Sequence, residues 1–237
     1  MPRGAQPVPG QAEVVVIGAS GGIGSAMVEA LKASGHYATV HALSRSGTGL
    51  DLTDEASVAE AARGIGEGPP PSLIFVATGI LHDGHEPERT YKAMTAEHLL
   101  RDYQVNTVGP ALVARHFLPL MPRDRRAVFA ALSARVGSIG DNRLGGWHSY
   151  RASKAALNMI LKNLSIELAR THPQAVIAGL HPGTVDTALS VPFQKGVAAD
   201  KLFTADYSAR RLLAVLDGLT PADSGGVFAW DGARIPE

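Results

Sequence analysis

Four consecutive apolar residues, Val14-Val15-Val16-Ile17, run directly into Gly18-Ala19-Ser20-Gly21-Gly22-Ile23-Gly24. A short run with no polar alternation suits a strand covered on both faces, and the glycines let the chain turn sharply before a helix begins. The pattern then repeats. Apolar, β-rich runs at 13–17, 38–43, 72–76, 127–132, 175–180 and 226–230 alternate with helical periodicity at 22–33, 54–63, 96–118, 149–171 and 205–216. Strand–helix alternation predicts an α/β fold, a single domain built on a doubly wound parallel sheet with helices on both faces. The Gly-Glu-Gly-Pro-Pro-Pro stretch at 66–71 reads as a helix-to-strand loop within that domain. The predicted domain spans 13–237, and the Pro- and Gly-rich residues 1–12 read as a flexible end.

Composition narrows the class. Of 237 residues 45% are hydrophobic, enough for a sizeable core, and 22 basic residues balance 22 acidic ones. That balance points away from nucleic-acid partners. There is no cysteine, which excludes disulfides and thiolate metal sites and fits a reducing compartment. No apolar run approaches the ~18 residues of a membrane span, and the first dozen residues lack a signal peptide's apolar stretch. A cytoplasmic protein with no membrane partner is the expectation.

Gly18, Gly22 and Gly24 fall where the first predicted strand turns into the first helix. Such a turn brings backbone and a helix N-terminus close to a pyrophosphate, so a dinucleotide is the expected ligand of this Rossmann-type sheet. An acidic residue normally closes the second strand to hold a ribose 2′-hydroxyl. This chain has Leu43-Ser44-Arg45-Ser46 there. A guanidinium flanked by hydroxyls suits a 2′-phosphate, which favours NADP over NAD. Asp51 fits two roles, an acceptor for the adenine amino group or the cap of the next helix.

Tyr150-Arg-Ala-Ser-Lys154 places a phenol and an ammonium on one helical face. A phenol titrates near ~10 and serves acid–base chemistry at neutral pH only where its phenolate is stabilised, as by a nearby ammonium. With the glycine turn, Asn106 and His181-Pro182-Gly183-Thr184-Val185-Asp186-Thr187 in this order, the chain from about residue 13 onward resembles the short-chain dehydrogenase/reductase family. Ser-Ala-Arg-Val-Gly-Ser-Ile-Gly-Asp-Asn at 133–142 and Asp-Gly-Ala-Arg-Ile-Pro near the end resemble its C-factor and Sniffer-like carbonyl reductase branch.

The resemblance implies an NADP-dependent oxidoreductase acting on a small carbonyl or alcohol. Tyr150 would donate the proton in reduction and accept it in oxidation. Lys154 would hold the nicotinamide ribose and lower the tyrosine, and Asn106 would hold a water relaying protons to Lys154. Pro110, four residues on, cannot donate to the Asn106 carbonyl, which fits a relay or a simple kink. The cofactor wall implied by the resemblance comprises Gly18, Ser20, Gly22, Ile23, Gly24, Arg45, Asp51, Leu52, Ala77, Thr78, Gly79, Tyr150, Lys154, Pro182, Gly183, Val185 and Thr187. Thr187 fits a carboxamide contact or a helix cap. A homodimer or homotetramer through the helices at 96–118 and 149–171 is also implied.

Three positions depart from the family pattern. Ile17 replaces a common Thr, and Val76-Ala77-Thr78-Gly79 lacks the usual asparagines. The register of the substrate-polarising serine falls on Ala134, beside Ser133. Ser133 or Ser138 is left to supply that hydroxyl, with Ser133 the favoured candidate. Apolar residues Leu81, Trp147, Val191, Pro192 and Phe193, the last three in an aperiodic segment at 189–201 that suits a lid, predict an apolar substrate. His82 and His85 have no third ligand at zinc spacing and read as a polar loop, so no metal is expected. His148 fits either a pocket or a surface position. The alternative function is a C-factor-type nucleotide-binding signalling protein with little turnover. An epimerase would need a larger C-terminal domain than the residues after Thr187 supply.

Overall fold

Six parallel strands form the centre of the computed structural model, in the order β2-β1-β3-β4-β5-β8. The structure describes residues 12–82, 84–195 and 198–237, so the flexible end expected at 1–12 lies almost wholly outside the described residues. The strands are β1 (Ala12–Ile17), β2 (Tyr37–Leu43), β3 (Pro71–Val76), β4 (Ala127–Leu132), β5 (Ala175–His181) and β8 (Val227–Ala229). The helices are α1 (Gly22–Ser34), α2 (Arg45–Thr48), α3 (Glu55–Gly66), α4 (Ala96–Tyr103), α5 (Gly109–Phe117), α6 (His148–Leu168) and α7 (Ala205–Gly218). Two short strands absent from the sequence reading, β6 (Thr184–Val185) and β7 (Leu202–Phe203), pair beyond the sheet.

The unbroken apolar runs are explained by a core on each face. Val15 and Ile17 pack with Val58 of α3, Phe117 of α5 and Leu157 and Leu161 of α6. The alternate residues, Val14 and Val16, pack with Met27 and Leu31 of α1 and Leu212 and Leu216 of α7. Side chains that alternate across a strand therefore all meet apolar partners. Strand order reverses on either side of β1, and ligands gather at such switch points, at the carboxyl ends of the strands.

The helix expected over 96–118 is interrupted. Gln104–Val108 forms a π-turn between α4 and α5, closed by the Gly109 amide on the Gln104 carbonyl. Pro110 opens α5 and cannot donate to Asn106. A π-bulge is rare inside a helix and falls often at functional sites.

Candidate active site

Gly18 sits at φ +84°, a left-handed conformation that costs a residue with a Cβ but not glycine. A Cβ on Gly24 would lie 2.1 Å from the Gly18 carbonyl oxygen, so only glycine lets α1 start this close to β1. The N-cap of α1, Gly21, has no side chain to bond the first-turn amides, and no acidic residue occupies that turn. Those unsatisfied donors and the helix dipole make an anion site.

Two cavities meet here. One, of about 340 Å³, is lined by Gly18, Ser20, Arg45, Asp51, Leu52 and Arg101 among others. The second, of about 270 Å³, is lined by Gly22, Ile23, Ser133, Tyr150, Lys154, Pro182 and Thr187 among others. Gly21, Ala77, Thr78 and Gly79 border both, joining them into one cleft. The Thr78 hydroxyl is buried there with no partner among the described residues. A long ligand with an anionic middle and polar groups at both ends fits this donor set, as a nicotinamide dinucleotide would.

At the first end, the Ser44 hydroxyl is occupied as the N-cap of α2, accepting from Gly47 N at 3.0 Å. That bond uses only a lone pair, so the Ser44 proton stays free to donate and Arg45 keeps a hydroxyl on each side, Ser44 and Ser46. Asp54, not Asp51, caps α3, accepting from Ala56 N at 3.0 Å, which settles the cap alternative. Asp51 instead accepts from the amide and hydroxyl of Thr53, bonds that hold its carboxyl below the ordinary range, with Arg45 and Arg101 adding to the shift. Arg101, which the sequence reading missed, brings a second guanidinium to this cavity from α4.

At the other end, Tyr150 lies on α6 in an apolar cluster with Leu81 and Ala134, joined by Trp147 and Leu189. Trp147 takes the left-handed conformation at φ 50° and meets the Tyr150 ring edge-on at 6.3 Å between centroids. Lys154 Nζ donates to the Leu132 carbonyl at 2.9 Å and sits 5.8 Å from the Tyr150 ring centroid. Burial pushes the Lys154 ammonium down to about 8, against the pull of Asp102. Burial, followed by the Asp102 carboxylate, pushes the Tyr150 phenol above its ordinary value. That direction is opposite to the lowering expected from the Tyr/Lys spacing, because burial disfavours the phenolate.

Asn106 is fully buried and lies off the cleft wall. Its amide oxygen accepts from Ile80 N at 2.8 Å, and its nitrogen donates to the Ile80 carbonyl and to Ser153 Oγ. It ties the loop after β3 to the helix bearing Lys154. Ser133 lines the cleft, but its hydroxyl donates to Asn158 Oδ1 at 2.6 Å. Ser138 lies away from the cleft, donating to the Pro236 carbonyl and accepting from Asp141 N.

Three expected wall residues lie behind the wall, the first being Gly24, buried against the Gly18 carbonyl. Gly183 packs beneath the Phe203 ring, and Val185 is buried in the β6–β7 pair. The Thr187 hydroxyl turns back to the Val185 carbonyl at 3.4 Å, and no regular helix starts there for it to cap. His148 opens α6 half-buried and off the cleft. His85 lies in the loop after β3, but its side chain is turned inward, 7% exposed and stacked on His98. Among the described residues no group of three or more His, Cys, Asp or Glu could hold a metal ion. The side chain of Phe193 lies outside the description.

Sheet order, glycine turn and the cleft holding Tyr150 and Lys154 define a nucleotide-binding α/β protein. The short chain dehydrogenase model matches residues 12–197, and the chain belongs to that family of nicotinamide-dependent oxidoreductases. It is 32% identical over 188 residues to the 1-hydroxy-2-glutathionyl-2-methyl-3-butene dehydrogenase of Rhodococcus sp. (strain AD45), covering 79% of this chain and 78% of the relative. It is 34% identical over 139 residues to the C-signal of Myxococcus xanthus, covering 58% of this chain and 78% of that protein. In structure it is similar to the NADPH-bound carbonyl reductase from chicken fatty liver, with a TM-score of 0.80 and 26% identity over 98% of this chain and 97% of that one. The carbonyl reductase Sniffer of D. melanogaster shares the fold, with a TM-score of 0.75 and 22% identity, covering 95% and 99% of the two chains.

Proposed function

We propose that the chain is an NADP-dependent reductase of small apolar carbonyls, or the reverse alcohol dehydrogenase, with Tyr150 as the general acid–base. The observation that carries this reading is the single cleft running from Arg45 and Arg101, past the glycine turn, to Tyr150 and Lys154. When bound, the nicotinamide supplies or accepts the hydride. Tyr150 protonates the carbonyl oxygen, and the Lys154 ammonium holds the ribose hydroxyls and the proton balance of the phenol. Asn106 supports both by fixing the Ile80 loop against Ser153, and through its place in the π-turn it holds the relay water. Leu81, Ala134, Trp147 and Leu189 exclude water around the phenol and favour an apolar substrate. NADPH oxidation against a panel of aliphatic and aromatic aldehydes and ketones tests the reading.

Arg45 is the cofactor selector in this account. Arg45→Asp should weaken NADPH and spare or improve NADH, since losing a charge-assisted phosphate contact costs about 1.5–3 kcal/mol, or roughly ten- to over a hundredfold in affinity. Fluorescence titration of both cofactors measures this, and an unchanged ratio dismisses Arg45.

Ser133 is the proposed carbonyl-polarising hydroxyl. Turning the Asn158 amide over would let its nitrogen donate to Ser133 Oγ, releasing the serine proton; the cost includes the long 3.4 Å bond from Asn158 to Gly137 O. Ser133→Ala should lower turnover tens to about a thousandfold with NADPH binding intact, as for loss of an oxyanion donor. Ser138→Ala should change turnover little, since Ser138 holds the chain end instead. The reverse ranking moves the role to Ser138. Full activity in both points to a different means of polarisation or to the second reading.

That second reading, a nucleotide-binding signalling protein with little turnover, is favoured by the Ser133 hydroxyl being bonded to Asn158, by Ala134 packing on Tyr150, and by the C-signal similarity. Exposed Leu100 and Tyr103 on α4 and Met159 and Ile166 on α6 support a homodimer or homotetramer through these helices. No described helix is long and apolar enough to cross a membrane. The lack of cysteine supports a cytoplasmic setting.

A further inference from the structure

A file of polar groups between α4 and the start of α6 extends from Asn106 to residues that have no part in the chemistry above. His98, Asp102 and Asn106 follow at four-residue intervals and meet α6 or the loop after β3. At one end Asn106 donates to Ser153 Oγ at 3.1 Å. At the other, His98 Nδ1 lies 4.0 Å from Glu88 Oε1. Glu88 in turn accepts from the Ser149 amide at 3.2 Å and from the Ser149 hydroxyl. Helix α6 has no side-chain cap at its own N-cap, Trp147, so Glu88 supplies from across the fold an acceptor that the first turn lacks. Asp102 sits between these ends with its side chain 1% exposed, 3.6 Å from His85 Nε2. His85 stacks on His98 with centroids 3.9 Å apart. The file thus ends on Ser149 and Ser153, the residues just before Tyr150 and Lys154.

A carboxylate so far removed from water is weakly screened and acts on every ionisable group sharing its surroundings. The groups whose charge acts on Asp102 or feels it are His85 and Glu88 from the loop after β3, Lys154 and Tyr150 from α6, and Arg101 from its own helix, with His98 one turn before it in sequence. We propose that Asp102, oriented by His85, is a positioning residue for the Tyr150–Lys154 pair. Its negative charge keeps the Lys154 ammonium and the Tyr150 phenol protonated, so that a carboxylate on the neighbouring helix sets the pH at which the pair exchanges protons. Only the kinetic consequence rests on the reductase reading; the electrostatic coupling does not.

Burial raises Asp102 to about 6, with His85 the largest opposing influence. Its charge is therefore present at neutral pH and fades as pH falls through about 6. Asp102→Asn removes it at every pH, and both Lys154 and Tyr150 should then lose their protons at lower pH.

The test reads Lys154 directly, as the pH dependence of its acylation by acetic anhydride in the full chain without cofactor, followed by mass spectrometry. In Asp102→Asn the Lys154 midpoint should fall by about one pH unit, the size expected for losing a nearby opposite charge. Asp102→Glu should restore it. The wild type should itself show a second inflection near 6. Coincident Lys154 midpoints in wild type and Asp102→Asn overturn the proposal; if that variant does not fold, a wild type without the lower inflection does so. The pH profile of NADPH oxidation is the second arm, with the alkaline limb of reduction moving to lower pH in Asp102→Asn. A wild type inactive on every carbonyl refutes the reductase reading and leaves the Lys154 titration to decide on Asp102.

Discussion

Tyr150→Phe is expected to bind NADPH as the wild type does and to lose about 10²–10⁴-fold in turnover, the usual worth of a positioned general acid. The ring packs with Leu81, Ala134 and Trp147, and phenylalanine keeps that packing. What it removes is a hydroxyl at the cleft wall. The phenol is held above its ordinary value, so in the reductive direction it carries its proton through the neutral range and has one to give. Turnover in the variant measures the loss, and fluorescence titration with NADPH checks that the cleft is intact. Wild-type turnover in Tyr150→Phe would remove Tyr150 from the chemistry.

Lys154→Ala is expected to impair both functions, with NADPH affinity falling about tenfold or more and turnover falling at least as far as in Tyr150→Phe. A charged donor to a hydroxyl is worth about 1.5–3 kcal/mol, and the same ammonium sits 5.8 Å from the centroid of the Tyr150 ring. Lys154 also donates to the Leu132 carbonyl at the end of β4. A melting curve is therefore needed alongside the kinetics, to separate a lost contact from a loosened strand end. Unchanged affinity for NADPH would show that Lys154 does not hold the ribose.

The sheet was largely legible in the chain because each strand is a closed apolar run between turn residues; β4 begins and ends where its run does, at Ala127 and Leu132. Helix 96–118 was not legible as two helices, because apolar periodicity continues across the π-turn and only Pro110 marks the break. Gly18, Gly24, Tyr150 and Lys154 were readable because close backbone approach and i,i+4 spacing are local properties. Arg101, Asp102 and Glu88 were not, since they reach the site only when the loop after β3, α4 and α6 come together. Spacing also misjudged the phenol. Tyr150 and Lys154 are neighbours in sequence, but the burial that dominates both groups is tertiary. Gly183 and Val185 were assigned to the cleft by motif position, whereas the ring of Phe203, twenty residues after Gly183, and the β6–β7 pair take them behind it.

The most direct test of the central claim is a single-turnover measurement of NADPH oxidation by the wild type and by Tyr150→Phe, each saturated with cofactor and mixed with the most reactive carbonyl of the panel. The wild type should show a rapid loss of NADPH absorbance, slowed by deuterium at the transferred position, and Tyr150→Phe a loss slower by about 10²–10⁴-fold. A wild type that binds NADPH and oxidises none of it against any carbonyl, or a variant that matches the wild type, would contradict the claim.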